Sequence, residues 1–139
     1  MPKIEQSVGL VTLLVRDYDE ALDFFIGKLR FRLLEDTAVP AQQKRWVVVA
    51  PPGPVGASIL LARATNSQQL ACVGNQAGGR VAFFLYTNHL ARDYECYKSA
   101  GVQFIREPKK EPYGTVAVFR DVCGNPWDLI QPAARSGDY

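Results

Sequence analysis

The sequence predicts an α+β fold made of two tandem βαβββ modules, and two observations support that prediction. A pattern of one strand, one helix and three further strands occurs twice along the chain. The two occurrences also align at a nearly constant spacing, because Asp17 falls over Thr87 and Trp46 falls over Thr115, offsets that differ by one residue. The chain has 139 residues, 47% of them hydrophobic, which is enough for both modules to share a core.

The first module begins with the apolar segment VGLVTLLV, whose β-branched residues on both faces predict a central strand. In the segment DYDEALDFFIGKL, Asp17 is expected to cap a helix, with Glu20 at the capping-box spacing and apolar residues at helical intervals. Three further strands are predicted in the segments FRLLED, RWVVVA and ASILLA. The predicted order of the first module is therefore βαβββ.

The second module repeats this order. It has a predicted strand RVAFFLYT from Arg80, then a helix with Asn88 as N-cap and Gly101 as C-cap, then the strands VQFIRE, GTVAVFRD and PWDLIQ. We expect a single domain over residues 1–135, with modules at about 4–63 and 79–132. The connection at about 64–78, which includes GNQAGG, is predicted to be a flexible linker because its glycines precede a strand rather than open a helix.

The composition excludes several functional classes. The net charge is +2 and no run of like charge stands out, so the sequence predicts neither a nucleic-acid partner nor a membrane partner. No stretch of about 18 apolar residues could span a bilayer, and charges interrupt the N-terminal segment where a signal peptide would be apolar. Three cysteines without zinc-ligand spacing favour a reducing compartment. We therefore expect a soluble cytoplasmic protein.

Several segments resemble the vicinal oxygen chelate superfamily, which includes glyoxalase I, bleomycin-resistance proteins and extradiol dioxygenases. They are LLVRDYDEALDFFIGKLRF, the GGRV before the second module and the ending YGTVAVFRDVCGNPWDLIQP. The resemblance implies a curved mixed sheet from the two modules around a cavity. Members usually end the first helix with a glycine in an LGF turn, so in LRF either Arg30 adopts the left-handed conformation at some cost or the turn has a different shape.

The resemblance also implies where a metal would bind. In metal-dependent members the ligands project inward from the first and last strands of each module, and these positions match Leu10 and about Leu60 in one module and Arg80 and Asp128 in the other. Leucine has no donor atom and a guanidinium repels a cation, so we expect no metal and no other cofactor.

Arg80 and Asp128 are then expected to point into the same cavity, which leaves three alternatives. They form a structural salt bridge, because neither charge is stable when buried alone. Alternatively they are catalytic, with Arg80 binding an oxyanion or carboxylate of a substrate and Asp128 orienting it or acting as a base. The third alternative is a direct metal role for Asp128. Candidate ligand-binding residues are Leu10, Trp46, Phe84 and Tyr113, the aromatic ones by stacking on a planar ligand.

Three functions remain open at this point. The resemblance favours a binding protein that holds a small organic, possibly anionic, ligand in a cavity without the usual metal triad. The alternatives are a metal-free lyase or isomerase and a metal-dependent glyoxalase-type lyase. Members with two modules commonly pair, so the resemblance also implies a homodimer.

Overall fold

The computed structural model describes residues 2–134 and confirms the α+β class and the repeated order of elements. The chain forms two compact units, Met1–Asn66 and Ser67–Tyr139. The first contains β1 (Leu10–Val15), α1 (Tyr18–Leu22), β2 (Arg32–Val39), β3 (Lys44–Ala50) and β4 (Ser58–Arg63), with a π-helical turn over Asp23–Lys28 and a 3-10 turn over Pro40–Gln42. The second contains α2 (Ser67–Cys72), β5 (Phe83–Tyr86), α3 (Leu90–Ser99), β6 (Phe104–Glu111), β7 (Gly114–Arg120) and β8 (Pro126–Pro132).

Each unit has a four-stranded mixed sheet, with strand order β1-β4-β3-β2 in the first and β5-β8-β7-β6 in the second. The pairs β1–β4 and β5–β8 are parallel and the other pairs are antiparallel. The central position predicted for the first strand is wrong, because β1 lies at the edge of its sheet. Leu13 and Val15 are buried on one face of β1, while Leu10 on the other face is exposed.

The start of α1 follows the predicted capping pattern. Oδ2 of Asp17 accepts a hydrogen bond of 2.7 Å from the backbone N–H of Glu20. The helix continues as the π-helical turn, and Phe24 and Phe25 are buried there with their rings edge to face, 5.2 Å apart. Of the two alternatives for the LRF turn, the left-handed conformation of Arg30 is present, with φ 61°.

The N-cap of α3 is His89 instead of the predicted Asn88. Nδ1 of His89 accepts from the backbone N–H of Arg92 at 3.2 Å, whereas Oδ1 of Asn88 accepts from the Arg92 guanidinium at 3.3 Å. The neighbouring asparagine therefore binds the arginine side chain, and the imidazole takes the capping position. Gly101 follows the C-cap residue Ala100 with φ 91°, as a left-handed terminating glycine does.

The predicted flexible linker has defined structure. Its first part forms α2, and its glycine-rich part packs against the turn before β8. The backbone N–H of Gln76 donates to Oδ1 of Asn125 at 2.9 Å. At Gly74 a Cβ atom would lie 2.2 Å from the carbonyl oxygen of Cys123, so only glycine allows this approach.

In each sheet one face carries the fully buried side chains. In the first unit the fully buried residues of the strands include Leu13, Val47, Val49 and Leu61. In the second unit Phe119, Trp127 and Leu129 are buried on the side of α3, where the ring of Tyr97 lies 5.7 Å from that of Phe119. None of the helices within residues 2–134 is long and apolar enough to cross a membrane.

Candidate functional site

A row of four side chains crosses the face of the second sheet that points away from α3. Phe84 pairs with Asp128, Asp128 with Val118, and Val118 with Arg106. Directly paired residues project from the same face of a sheet, and their neighbours in sequence project from the other. Trp127 is buried on the opposite face, so the row lies on a separate face of the sheet. This face carries one carboxylate, that of Asp128, and one guanidinium, that of Arg106.

This face contains a cavity of about 410 Å³, which we call the second-unit cavity. Its charged lining residues are Arg106, Arg120 and Asp128. The remaining lining residues are apolar or glycine: Gly74, Gly79, Val81, Ile105, Val118, Gly124 and Pro126. The volume lies within the usual range for small-molecule sites, and the wall combines apolar side chains with charged groups that can orient a ligand.

Arg106 reaches the cavity because of a β-bulge. The register of β6 against β7 shifts between Phe104 and Arg106, so that both Ile105 and Arg106 lie opposite Val118. Phe104 packs on the other face, with its ring 4.5 Å from that of Tyr94 in α3. A strict alternation along VQFIRE would put Arg106 on the face of Phe104, which is why the sequence pattern missed it.

Asp128 is half-buried in the lining of the cavity. Burial raises its pKa above the ordinary value for an aspartate, and the positive charge of Arg106 opposes that shift. Within the described residues, no salt bridge joins Asp128 to Arg80. The guanidinium that acts on Asp128 is therefore that of Arg106, on a different strand from the one expected.

Arg80 lies outside the predicted strand. β5 begins only at Phe83, and the backbone N–H of Arg80 donates to the carbonyl of Ala77 in a turn. The residue is exposed, and in the part of the chain that the structure describes it does not line the cavity. The glycine-rich segment before it forms turns, and the first backbone hydrogen bond to β8 is donated by Ala82 to the carbonyl of Pro126.

The turn between β7 and β8 holds one end of the cavity in place. Asp121 is 6% exposed, and its carboxylate accepts four hydrogen bonds of 2.9–3.0 Å, from the backbone N–H groups of Cys123 and Asn125, Nδ2 of Asn125 and Nε1 of Trp127. Arg120, Gly124 and Pro126 flank this network and line the cavity. Asp121 is not among the predicted site residues, although an aspartate shortly before a Gly-Asn pair is a turn signal that could have indicated it.

The first unit has a corresponding row with different chemistry. Thr12 pairs with Leu60, Leu60 with Val48, and Val48 with Glu35, again next to a register shift. By this correspondence Thr12 matches Phe84, so the matching of Leu10 to Arg80 is two residues out of register. Leu10 itself pairs with Ser58, at the position that Ala82 and Pro126 hold in the second unit.

The other candidate ligand-binding residues lie in three places. Trp46 is half-buried on β3, paired with Thr37, in the first unit. Phe84 is 57% exposed on β5 beside Asp128, and Tyr113 is exposed in the turn between β6 and β7. Of the four candidates, the structure brings Phe84 next to the second-unit cavity.

The residues of these rows do not suit a metal ion. Across residues 2–134, no three His, Cys, Asp or Glu side chains come close enough together to hold one. The last-strand positions are Leu60 and Asp128, and their neighbours on the first strands are Thr12 and Phe84. Leucine and phenylalanine supply no donor atoms, so the first-strand and last-strand pair within each unit offers one side-chain donor, fewer than the three protein ligands of a catalytic divalent metal.

Comparison with known proteins identifies the family. The model of the Glyoxalase/Bleomycin resistance protein/Dioxygenase superfamily matches residues 7–129. An uncharacterized protein of Shewanella frigidimarina is 53% identical over 128 residues, which cover 92% of this chain and 95% of the relative. The crystal structure of UcmS2 has a TM-score of 0.79 and 29% identity, covering 91% of this chain and 98% of its own.

A further similar structure has a stated binding role. TnmS3, an antibiotic binding protein from Streptomyces sp. CB03234, has a TM-score of 0.75 and 28% identity, with 95% of this chain and 100% of its own covered. The family match extends over most of both units. The chain therefore belongs to the Glyoxalase/Bleomycin resistance protein/Dioxygenase superfamily.

Proposed function

We propose that this protein binds a small, planar organic molecule in the second-unit cavity and releases it unchanged. The observation that carries the proposal is the cavity itself, about 410 Å³ in volume and lined by apolar residues, glycines and three charged side chains. A site of this kind gains affinity from apolar contact and selects its ligand through a few polar groups.

Phe84 supports a planar ligand. Its ring is 57% exposed and stands next to Asp128 on the cavity-bearing face, so a flat molecule in the cavity could stack on it. A large exposed aromatic residue beside a concave site is a common feature of ligand binding. The similarity to TnmS3, itself an antibiotic binding protein, supports the binding function from an independent direction.

A second candidate function is a metal-free lyase or isomerase. It is favoured by Asp128, whose pKa burial raises, in a cavity that also holds Arg106. A carboxylate with a raised pKa is a better proton acceptor, and a guanidinium can stabilise a developing oxyanion. A metal-dependent lyase has less support, because Leu60 and Phe84 have no donor atoms for a metal.

The experiment is isothermal titration calorimetry with two planar probes, 2-naphthoate and 2-naphthamide. We expect at least one to bind the wild-type protein with a stoichiometry of one per chain and to raise its melting temperature, because a ligand bound only by the folded state stabilises it. The variant Ile105→Trp places a large side chain in the cavity wall and should weaken binding about tenfold or more.

Val55→Trp is the matched control, because Val55 is 92% exposed in a turn of the first unit. It should bind the probes like the wild type. Affinity that is equal in Ile105→Trp and the wild type would contradict the assignment of the cavity. Recovery of the probe after long incubation separates the two functions, since an unchanged probe supports binding and a converted one supports the lyase or isomerase.

A further inference from the structure

The charges in the second-unit cavity carry information about its ligand. Two guanidinium groups, those of Arg106 and Arg120, face one carboxylate, that of Asp128. Arg120 donates one hydrogen bond of 3.2 Å to the carbonyl of Gly124, which fixes its direction and leaves most of its N–H groups available. The lining therefore offers more donors to an anion than acceptors to a cation.

Arg106 is the more available of the two arginines. In the described part of the chain, its guanidinium makes no hydrogen bond to the protein and no ion pair within 4.0 Å. The β-bulge turns it onto the cavity face together with Ile105, which supplies apolar contact beside it. A planar fork of N–H donors next to an apolar wall matches the carboxylate of an organic acid.

The position of Asp128 sets the orientation of such a ligand. Arg106 and Asp128 are separated by β7, so their backbones are two strand spacings apart, about 10 Å. A ring system whose acid group is held by Arg106 can then extend over Val118 toward Phe84, and that acid group competes with the Asp128 carboxylate for the positive charge of Arg106.

We infer that the second-unit cavity selects a planar organic anion, with its carboxylate or enolate held by Arg106 and its ring directed toward Phe84. This inference rests on the proposed function and specifies the class of ligand. It makes Arg106 the residue that determines specificity, with Arg120 as a second source of positive charge.

The test uses three probes with one ring system and different charges: 2-naphthoate, 2-naphthamide and 2-naphthylmethylammonium. With the wild-type protein, calorimetry should show 2-naphthoate binding about tenfold more tightly than the amide, the effect of one charge-assisted hydrogen bond. The ammonium probe should bind most weakly. In Arg106→Gln the affinity for 2-naphthoate should fall about tenfold and that for the amide should stay the same.

Lys110→Gln is the matched control. It removes the same charge from the same strand, but Lys110 pairs with Thr115 and so projects from the opposite face. It should keep the preference for 2-naphthoate, and both variants concern exposed side chains, so each should melt like the wild type.

The outcomes separate the inference from the proposed function. Equal affinity for 2-naphthoate and 2-naphthamide, or tighter binding of the ammonium probe, would overturn the inference and leave the proposed function standing. A preference for 2-naphthoate that persists in Arg106→Gln would overturn the role of Arg106. If none of the three probes binds, both the proposed function and the inference fail.

Discussion

Arg30 occupies a backbone conformation that suits glycine better. Its φ is 61°, and an L-residue in this left-handed region is destabilised by roughly 1–2 kcal/mol through contact of its Cβ with the backbone. We expect Arg30→Gly to raise the free energy of unfolding by about 1 kcal/mol, because the greater freedom of glycine in the unfolded chain offsets part of the gain. Urea denaturation of the wild type and of Arg30→Gly measures this difference in the free energy of unfolding.

The control for this change is Lys28→Gly, in the π-helical turn just before Arg30. At this helical position glycine should lower the free energy of unfolding by up to about 1 kcal/mol. The reason is that glycine relieves no strain there and makes the unfolded chain more flexible. If both substitutions destabilised the protein, the strain assigned to Arg30 would be wrong.

Asp128 should make stability depend on pH. Burial raises its pKa in the folded state above the unfolded value, so the folded protein resists ionisation and loses stability as pH rises through these two pKa values. Asp128→Asn carries no charge and avoids this loss. We expect the variant to be more stable than the wild type at pH 7, with the difference disappearing below the pKa of an ordinary aspartate.

The comparison is made by urea denaturation at neutral and acidic pH. Asp36→Asn serves as the control of opposite sign, because hydrogen bonding from Arg45 lowers the pKa of Asp36. Its substitution should reduce stability at neutral pH, with the difference lost on acidification. A wild type that is more stable than Asp128→Asn at pH 7 would show that an unrecognised partner stabilises the carboxylate.

Single residues of the site were predictable only where alternation along a strand is regular. The position of Asp128 on the cavity face follows from period two in PWDLIQ, and the structure places it there. Arg106 could not be found in this way, because the bulge at Ile105 reverses the faces. Arg80 was misplaced because the start of β5 depends on how the preceding turns pack.

At the scale of elements, the turn between β7 and β8 depends on one buried carboxylate. In Asp121→Asn the new Nδ2 group would face the N–H groups of Asn125 and Trp127, so donors would meet donors. We expect the free energy of unfolding to fall by about 2–3 kcal/mol, as for the loss of buried hydrogen bonds to a charged group.

Chemical denaturation measures this loss, and Asp23→Asn provides the comparison. Asp23 is exposed, so the same chemical change should stay within about 0.5 kcal/mol. A loss in Asp121→Asn no larger than that in Asp23→Asn would mean that the turn tolerates an amide. In that case another interaction must fix the end of the cavity.

The β-bulges show what a single sequence does not reveal about elements. β2 shifts register between Leu33 and Glu35, and β6 shifts between Phe104 and Arg106, at corresponding places in the two sheets. Neither position has a glycine or proline that would signal the irregularity. The strands themselves were predicted from their composition, whereas the residues that face the cavity depend on the bulges.

For the whole molecule, the repeat explains why the fold was predictable and the function was not. Two copies of one pattern give independent support for the same order of elements, and the structure confirms that order. The corresponding rows then differ in chemistry, with Glu35, Leu60 and Thr12 in one unit and Arg106, Asp128 and Phe84 in the other. The two units therefore share a backbone pattern but differ in the side chains that their rows present.

The last prediction concerns the assembly of the whole protein. Each unit exposes neighbouring large apolar residues: Leu33 and Leu34 at 48% each in the first, and Phe84 and Tyr86 at 57% and 65% in the second. Adjacent apolar residues on a surface often mark an interface. We therefore still expect the homodimer, and sedimentation equilibrium at micromolar concentration should give twice the chain mass of 15.4 kDa.

Leu34→Lys should shift that equilibrium toward the monomer, because it places a charge in the exposed apolar pair of an edge strand. Val55→Lys, at a residue 92% exposed in a turn, should leave the dimer intact. A wild-type protein that sediments at the monomer mass even at high micromolar concentration would contradict the prediction. The exposure of Phe84 would then have to be explained by ligand binding, which the calorimetric titrations test.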